Sequence, residues 1–137
     1  MERLSFDDGV DRCVARDTRY AREAYDLIRE ALDHAQSLAT EGDPRKHRGH
    51  MRGPQICEGL RDLVLDRFGP LARMVMASWG ISTTADVGEI VFNLIEVGVF
   101  STDSNDARED FHGVYDFREA FDNPFVPKSG PRTGPVG

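Results

Sequence analysis

Residues 74–100 read MVMASWGISTTADVGEIVFNLIEVGVF. Gly80 separates two apolar helical stretches, and Thr83 with Asp86 forms a capping pattern at the start of the second. Val87, Ile90, Val91, Leu94 and Ile95 follow helical spacing and predict its buried face. Two helices joined by a short turn give the outline of a helix-turn-helix. From Met74 to Ala107, however, there is no Lys or Arg, and Asp86, Glu89, Glu96, Asp103 and Asp106 supply five acids. A helix that reads DNA carries cations for phosphates and base edges. This one carries carboxylates, so sequence-specific duplex DNA is not an expected partner.

Working outward toward the C-terminus, Val99-Phe100-Ser101 predicts a short strand, residues 102–110 a polar turn, and Phe111 to Tyr115 an antiparallel return. Upstream, Gly53-Pro54 opens a helix whose buried face is Ile56, Leu60, Leu63, Val64 and Phe68, and Gly69-Pro70 stops it. Three helices plus a short β-hairpin make a winged-helix-like unit over about residues 53–115, and an all-helical bundle fits the same pattern equally well. Asp116 with Glu119 predicts a last cap, for a turn or two holding Phe117, Ala120 and Phe121.

Toward the N-terminus, Ser5 with Asp8 caps a first helix near residues 6–15. Asp17 or Thr18 then caps a longer one reaching about Ala39, whose stripe includes Ala24, Tyr25, Ile28, Ala31, Leu32 and Ala35. Residues 40–52, TEGDPRKHRGHMR, have no apolar period and read as a solvated loop. The expected fold class is mainly α. A single compact helical domain spans residues 1–121, its winged-helix-like unit packed on the long N-terminal helix. Residues 122–137, with seven Pro or Gly among 16, predict a disordered tail.

Composition narrows the function classes. With 30% charged and 39% hydrophobic residues in 137, the chain has the make-up of an ordinary globular protein. No apolar run approaches the ~20 residues that span a bilayer, so no membrane partner is expected. MERLSFDDGV lacks an apolar signal core, which points to the cytoplasm. Cys13 and Cys57 lie on different helices at no metal or redox spacing, and read as buried thiols. Residues 1–73 carry 13 basic and 14 acidic side chains, residues 74–137 only 4 against 10. That imbalance argues against a polyanion held by the second half.

Four segments carry a resemblance: DTRYAREAYDLIREAL (17–32), HMRGPQICEGLRDLVLDRFGPLA (50–72), WGISTTADVGEIVFNLIEVGVF (79–100) and DAREDFHGVYDFREAFDNPF (106–125). In order and spacing they resemble a small Verrucomicrobia/Planctomycetes-restricted family of conserved hypothetical proteins without an established activity. The likeness covers about residues 6–125. It departs at Met-Arg-Gly-Pro (51–54), where Val-Ser-Gly-Gln is usual, and at His-Gly-Val (112–114), where Lys-Asp-Gly is common. It implies one compact domain and transfers no catalytic residue.

Among candidate sites, Arg45, Lys46, Arg48 and Arg52 (with His47 and His50) form a basic cluster able to contact RNA phosphates, although no aromatic is interleaved for stacking. His47, His50 and Cys57 provide no complete metal set. Counted from Asp103, a calcium loop would need Gly at Arg108 and Glu at Val114, so the spacing fails. Glu89 and Glu96 share one helix face beside Asn93, where paired carboxylates could serve as acid and base or simply face solvent. Asn93 itself is placed to border the core and bond to a loop. No nucleophile elbow, phosphate loop, dinucleotide fingerprint or zinc-protease motif occurs. No cofactor, metal or catalytic residue is expected. Phe111, Tyr115, Phe117, Phe121 and Phe125 crowd one window; most should close the core, with Phe121 or Phe125 as possible contact surface. The reading is a non-catalytic protein-interaction or adaptor module that can self-associate, presenting Glu89, Glu96, Phe121 and Phe125. The alternative is an RNA- or ribosome-associated protein using residues 45–52.

Overall fold

Local caps decide where the helices begin. Ser5 Oγ accepts a hydrogen bond from the Asp8 N–H at 3.1 Å and starts α1 (Phe6–Arg16). In the computed structural model, which describes residues 4–39, 51–101 and 107–126, α2 (Arg22–Ala39), α3 (Gly53–Phe68), α4 (Ala72–Ser78) and α5 (Thr84–Glu96) follow. Short turns complete the chain: 3-10 at Gly69–Leu71 and Arg108–Phe111, π at Arg118–Asp122, and 3-10 at Asn123–Phe125. The protein is mainly helical, as the sequence predicts.

The second helix starts later than its capping residues imply. Asp17 turns its carboxylate onto Arg19, accepting from its backbone N–H at 3.1 Å and from its guanidinium. The chain therefore bends through residues 17–21, and Ala21 N–H bonds to Trp79 O at 3.1 Å before α2 begins at Arg22. Gly80, at φ 99°, ends the α4 segment against that bend, where an added Cβ would fall 2.2 Å from Arg19 O. Only glycine fits there.

α2 and α3 pack closely because both faces are small where they cross. An added Cβ on Gly59 would stand 2.7 Å from Ala35 Cβ and 2.9 Å from Ala31 O. Tyr25, Ile28, Leu60, Met76, Ile81, Ile90, Leu94 and Phe121 fill the core between these helices, α4 and α5. At the start of α5 the Thr83 side chain accepts from Asp86 N–H while Asp86 accepts from Thr83 N–H. Gly98, at φ 89°, closes it.

The β-hairpin is not there. Among the described residues no strand forms. Val99 N–H and Phe100 N–H both turn back to Leu94 O, at 3.1 and 3.3 Å, so these groups complete the end of α5 and are not free to pair with another segment. Val99 lies against Gly9 of α1, and Phe100 lies 6.3 Å from the Phe6 ring. Neighbouring side chains thus both pack on α1, where a strand would send them to opposite faces. On the other side, Arg108–Phe111 winds into a 3-10 turn that drives Phe111 onto Gly88, within 2.8 Å of where a Cβ would stand. The winged-helix-like unit is therefore reduced to its helices. Residues 102–106 of the expected turn, and 127–137 of the expected tail, lie outside the described residues; Asn123–Phe125 of that tail form a turn.

Candidate functional site

The carboxylate face of α5 is where the sequence places its most pointed electrostatic claim, and the fold changes it. Glu89 Oε1 accepts from Arg108 Nη1 at 2.9 Å and from Arg19 Nη2 at 3.2 Å. Glu96 meets Arg108 Nη2 at 3.2 Å and Arg16 Nη2 at 3.3 Å. Arg19 also grips Asp17 with two bonds, Nε to Oδ1 at 2.9 Å and Nη2 to Oδ2 at 2.7 Å. Three carboxylates (Asp17, Glu89, Glu96) thus face three guanidiniums (Arg16, Arg19, Arg108) drawn from α1, the bend after it and the turn after α5. The helix itself has no cation, yet its surface is locally balanced. Phosphate repulsion by an unmatched anionic face is no longer an argument about partners.

Asn93 sits beneath this network and ties it to the core. Its Nδ2 donates to Asp17 Oδ2 at 2.9 Å and to the Tyr25 hydroxyl at 3.0 Å, so the bend is the loop it bonds. The Arg19 hydrogen bonds, with help from Asn93 and against burial, hold the Asp17 carboxyl well below the usual carboxylate range. Burial pushes the Tyr25 hydroxyl up to about 12 despite the Asn93 bond. A small concavity of about 230 Å³ beside the network is lined by Cys13, Arg16, Asp17, Asn93, Glu96 and Val97. It has the residue types of a nucleophile site without the chemistry. Burial raises the Cys13 thiol, so it stays protonated where a nucleophile needs a thiolate. Cys57 is more deeply buried and pushed up to about 12 by that burial. Both thiols are free, and they sit in the core as the sequence reading expects.

The N-terminal end of α5 borders another concavity, lined in part by Arg73, Ser82, Thr84, His112 and Arg118. The backbone N–H groups of Ser82, Thr83 and Asp86 there are already engaged. Asp86 Oδ2 accepts from Ser82 N–H at 2.8 Å and Thr83 N–H at 3.1 Å, while Asp86 Oδ1 accepts from the Tyr20 hydroxyl at 2.7 Å. Thr84, fully buried, accepts from Val114 N–H at 3.2 Å. Among the described residues every buried side-chain polar atom has a partner, and no cluster of three or more His, Cys, Asp or Glu is placed to hold a metal ion.

The aromatic window divides sharply. Phe121 is fully buried, 4.9 Å from the Phe117 ring and 5.7 Å from the Tyr115 ring, both edge-on. It cannot serve as contact surface: the π turn at Arg118–Asp122 points it inward, against the ring of Tyr115, whose hydroxyl donates to Cys57 O at 2.7 Å. Phe125, one turn later, is 45% exposed, with Val126 beside it at 58%. Sequence reasoning overlooked Leu71 and Met74, which stand 54% and 66% exposed on the Gly69–Leu71 turn and α4. Arg73 Nε bonds to Asp122 Oδ2 at 2.8 Å and holds α4 against the C-terminal turns. Four of the five large hydrophobic side chains exposed among the described residues therefore belong to this one pair of neighbouring segments; the fifth is Leu38. No local signal marked them, since both are apolar residues between Gly69 and Gly80 like the buried Met76.

Arg45, Lys46 and Arg48 fall outside the described residues. Arg52 stands at the N-cap of α3, where its backbone N–H donates to Gln55 Oε1 at 2.9 Å, and its guanidinium stands 3.7 Å from Asp110. No helix among the described residues is long and apolar enough to cross a membrane. No family model, curated protein or solved structure matches the chain.

Proposed function

We propose that the protein is a non-catalytic interaction module that docks a partner protein on the surface carrying Leu71, Met74, Phe125 and Val126. The observation that supports this reading is that four of the five exposed large hydrophobics of the described residues lie on the Gly69–Leu71 turn, on α4 and at the C-terminal turns that Arg73 ties to α4. Scattered apolar residues on a surface need no explanation; a cluster on neighbouring segments does. Two features elsewhere fit the same reading: the charged side chains around α5 are paired with one another, and the thiols in the core are raised by burial.

Leu71→Asp with Met74→Asp tests it. Both positions are open to solvent, so the double variant should keep the fold and its melting temperature within about 2 °C. Proteins captured by the wild type from its native cell should be lost with the double variant, and any self-association seen by sedimentation should disappear with it. Equal capture by both forms would contradict the proposal. Capture of RNA that depends instead on Arg45, Lys46, Arg48 and Arg52 would transfer the function to the basic segment.

A further inference from the structure

Cysteine and methionine sulfurs are the side-chain atoms that peroxides oxidise, and exposure decides which of them react. The fold sorts its sulfurs sharply. Among the described residues Cys13, Met51, Cys57 and Met76 are buried, at 7% exposure or less, while Met74 is 66% exposed. Helix geometry accounts for the contrast between the two methionines of α4. They stand two residues apart, about 200° around an axis with 3.6 residues per turn. Met76 packs in the core, so Met74 projects to the opposite side, into the exposed apolar group that Leu71, Phe125 and Val126 complete.

The thiols do not compete for the oxidant. Both are free and buried, and burial raises both above their ordinary value, so the thiolate that peroxide needs is scarce. The Met74 thioether reacts without ionising. Its sulfur lone pair attacks one oxygen of hydrogen peroxide, an S–O bond forms and the O–O bond breaks. The proton on the transferred oxygen passes to the departing hydroxide, which leaves as water. Sulfur gives up two electrons and the peroxide takes them. The product is a polar sulfoxide where an apolar, adaptable side chain stood.

We propose, resting on the docking reading above, that Met74 is the peroxide-sensitive site of the α4 surface and that its oxidation to the sulfoxide releases the docked protein. A contact that buries the thioether would bury the sulfoxide oxygen as well, with no hydrogen-bond partner arranged for it. Docking should weaken by about 10-fold or more. Because the sulfoxide can be reduced enzymatically, the release is reversible.

Hydrogen peroxide added to the full chain at neutral pH, followed by fragment-ion mass spectrometry, tests the site. Met74 should gain one oxygen about 10-fold faster than Met51 or Met76, with Cys13 and Cys57 unmodified; Met1, outside the described residues, falls on a separate tryptic peptide. Capture from the native cell tests the consequence. Proteins held by the wild type and lost with Leu71→Asp define the docked set. The oxidised wild type should hold about 10-fold less of that set, with a melting temperature changed by under about 2 °C, and should recover it after treatment with methionine sulfoxide reductases A and B. Met74→Leu should capture equally before and after peroxide. Should oxidation unfold the chain, Met74→Gln, which places a polar group there without peroxide, should show the same loss. Faster oxidation of a buried sulfur, or a docked set that survives both Met74 oxidation and Met74→Gln, would overturn the proposal and leave the docking reading standing. A Leu71→Asp variant that loses nothing would remove the docking reading, and this regulation with it.

Discussion

Replacing Phe121 by Ala separates a core residue from a contact residue more cleanly than any other change in this chain. The ring is fully buried and meets two other aromatics edge-on, Phe117 at 4.9 Å and Tyr115 at 5.7 Å. A buried Phe removes about 150–250 Å² from water, and most of that area belongs to the ring that the substitution deletes. At about 25 cal/mol per Å² the transfer loss is about 3–5 kcal/mol, the span also found for Phe→Ala in protein cores. The two ring contacts, at about 0.5–1.5 kcal/mol each, place this site toward the upper end. For a domain of this size the loss lowers the melting temperature by about 10–20 °C. Urea unfolding followed by circular dichroism measures it directly, with Phe125→Ala as the exposed control at under about 1 kcal/mol. A loss below about 1 kcal/mol at Phe121 would refute the packing described for the C-terminal turns.

Further outcomes follow from titration and packing. All three tyrosines are pushed above their ordinary value of 10, chiefly by burial, with Asp86 contributing at Tyr20. Phenolate absorbance at 295 nm should therefore be largely missing from the native protein at pH 10.5 and about three-quarters developed in guanidinium. The raised values mean that this contribution to stability is intact below pH 10 and is lost as pH rises toward the folded values, so alkaline unfolding and phenolate formation should coincide. Asp17 behaves in the opposite sense. Its folded value lies below the ordinary 3.8, so its contribution is intact above that pH and is lost on acidification below it. Asp17→Asn should lower the melting temperature at pH 7, and the gap to wild type should shrink at pH 2. At Gly59, Ala is the better helix former by about 1 kcal/mol, yet its Cβ collides with Ala35 and the Ala31 carbonyl. Gly59→Ala should therefore destabilise the protein by about 1–3 kcal/mol; a gain would show that α2 and α3 do not approach as described.

What could be read from the sequence was local. Ser5, Thr83 with Asp86, Gly80 and Gly98 set helix ends through bonds within a few residues, and the structure places each as expected. The hairpin failed because Val99-Phe100 is a short apolar run, which periodicity alone cannot assign to strand or helix end. The deciding contacts, Gly9 and Phe6, lie some 90 residues away. The same distance hid the charge pairing of α5. Glu89 and Glu96 look unmatched in sequence because Arg16 and Arg19 are 70 or more residues upstream. Only Arg108 is close in sequence, and its reach back to α5 depends on a 3-10 turn that the strand reading displaced. Phe121 and Phe125 were indistinguishable for a related reason: a π turn places the first inward, and helical spacing does not describe it.

Hydrogen exchange on the protein with and without its captured partner puts the interaction reading to its most direct trial. Amides of residues 71–78 and 123–126 should slow on complex formation, while those of α1 and the middle of α2 stay unchanged. Protection confined to α1, α2 or α5, with residues 71–78 exchanging as freely as before, would contradict the account.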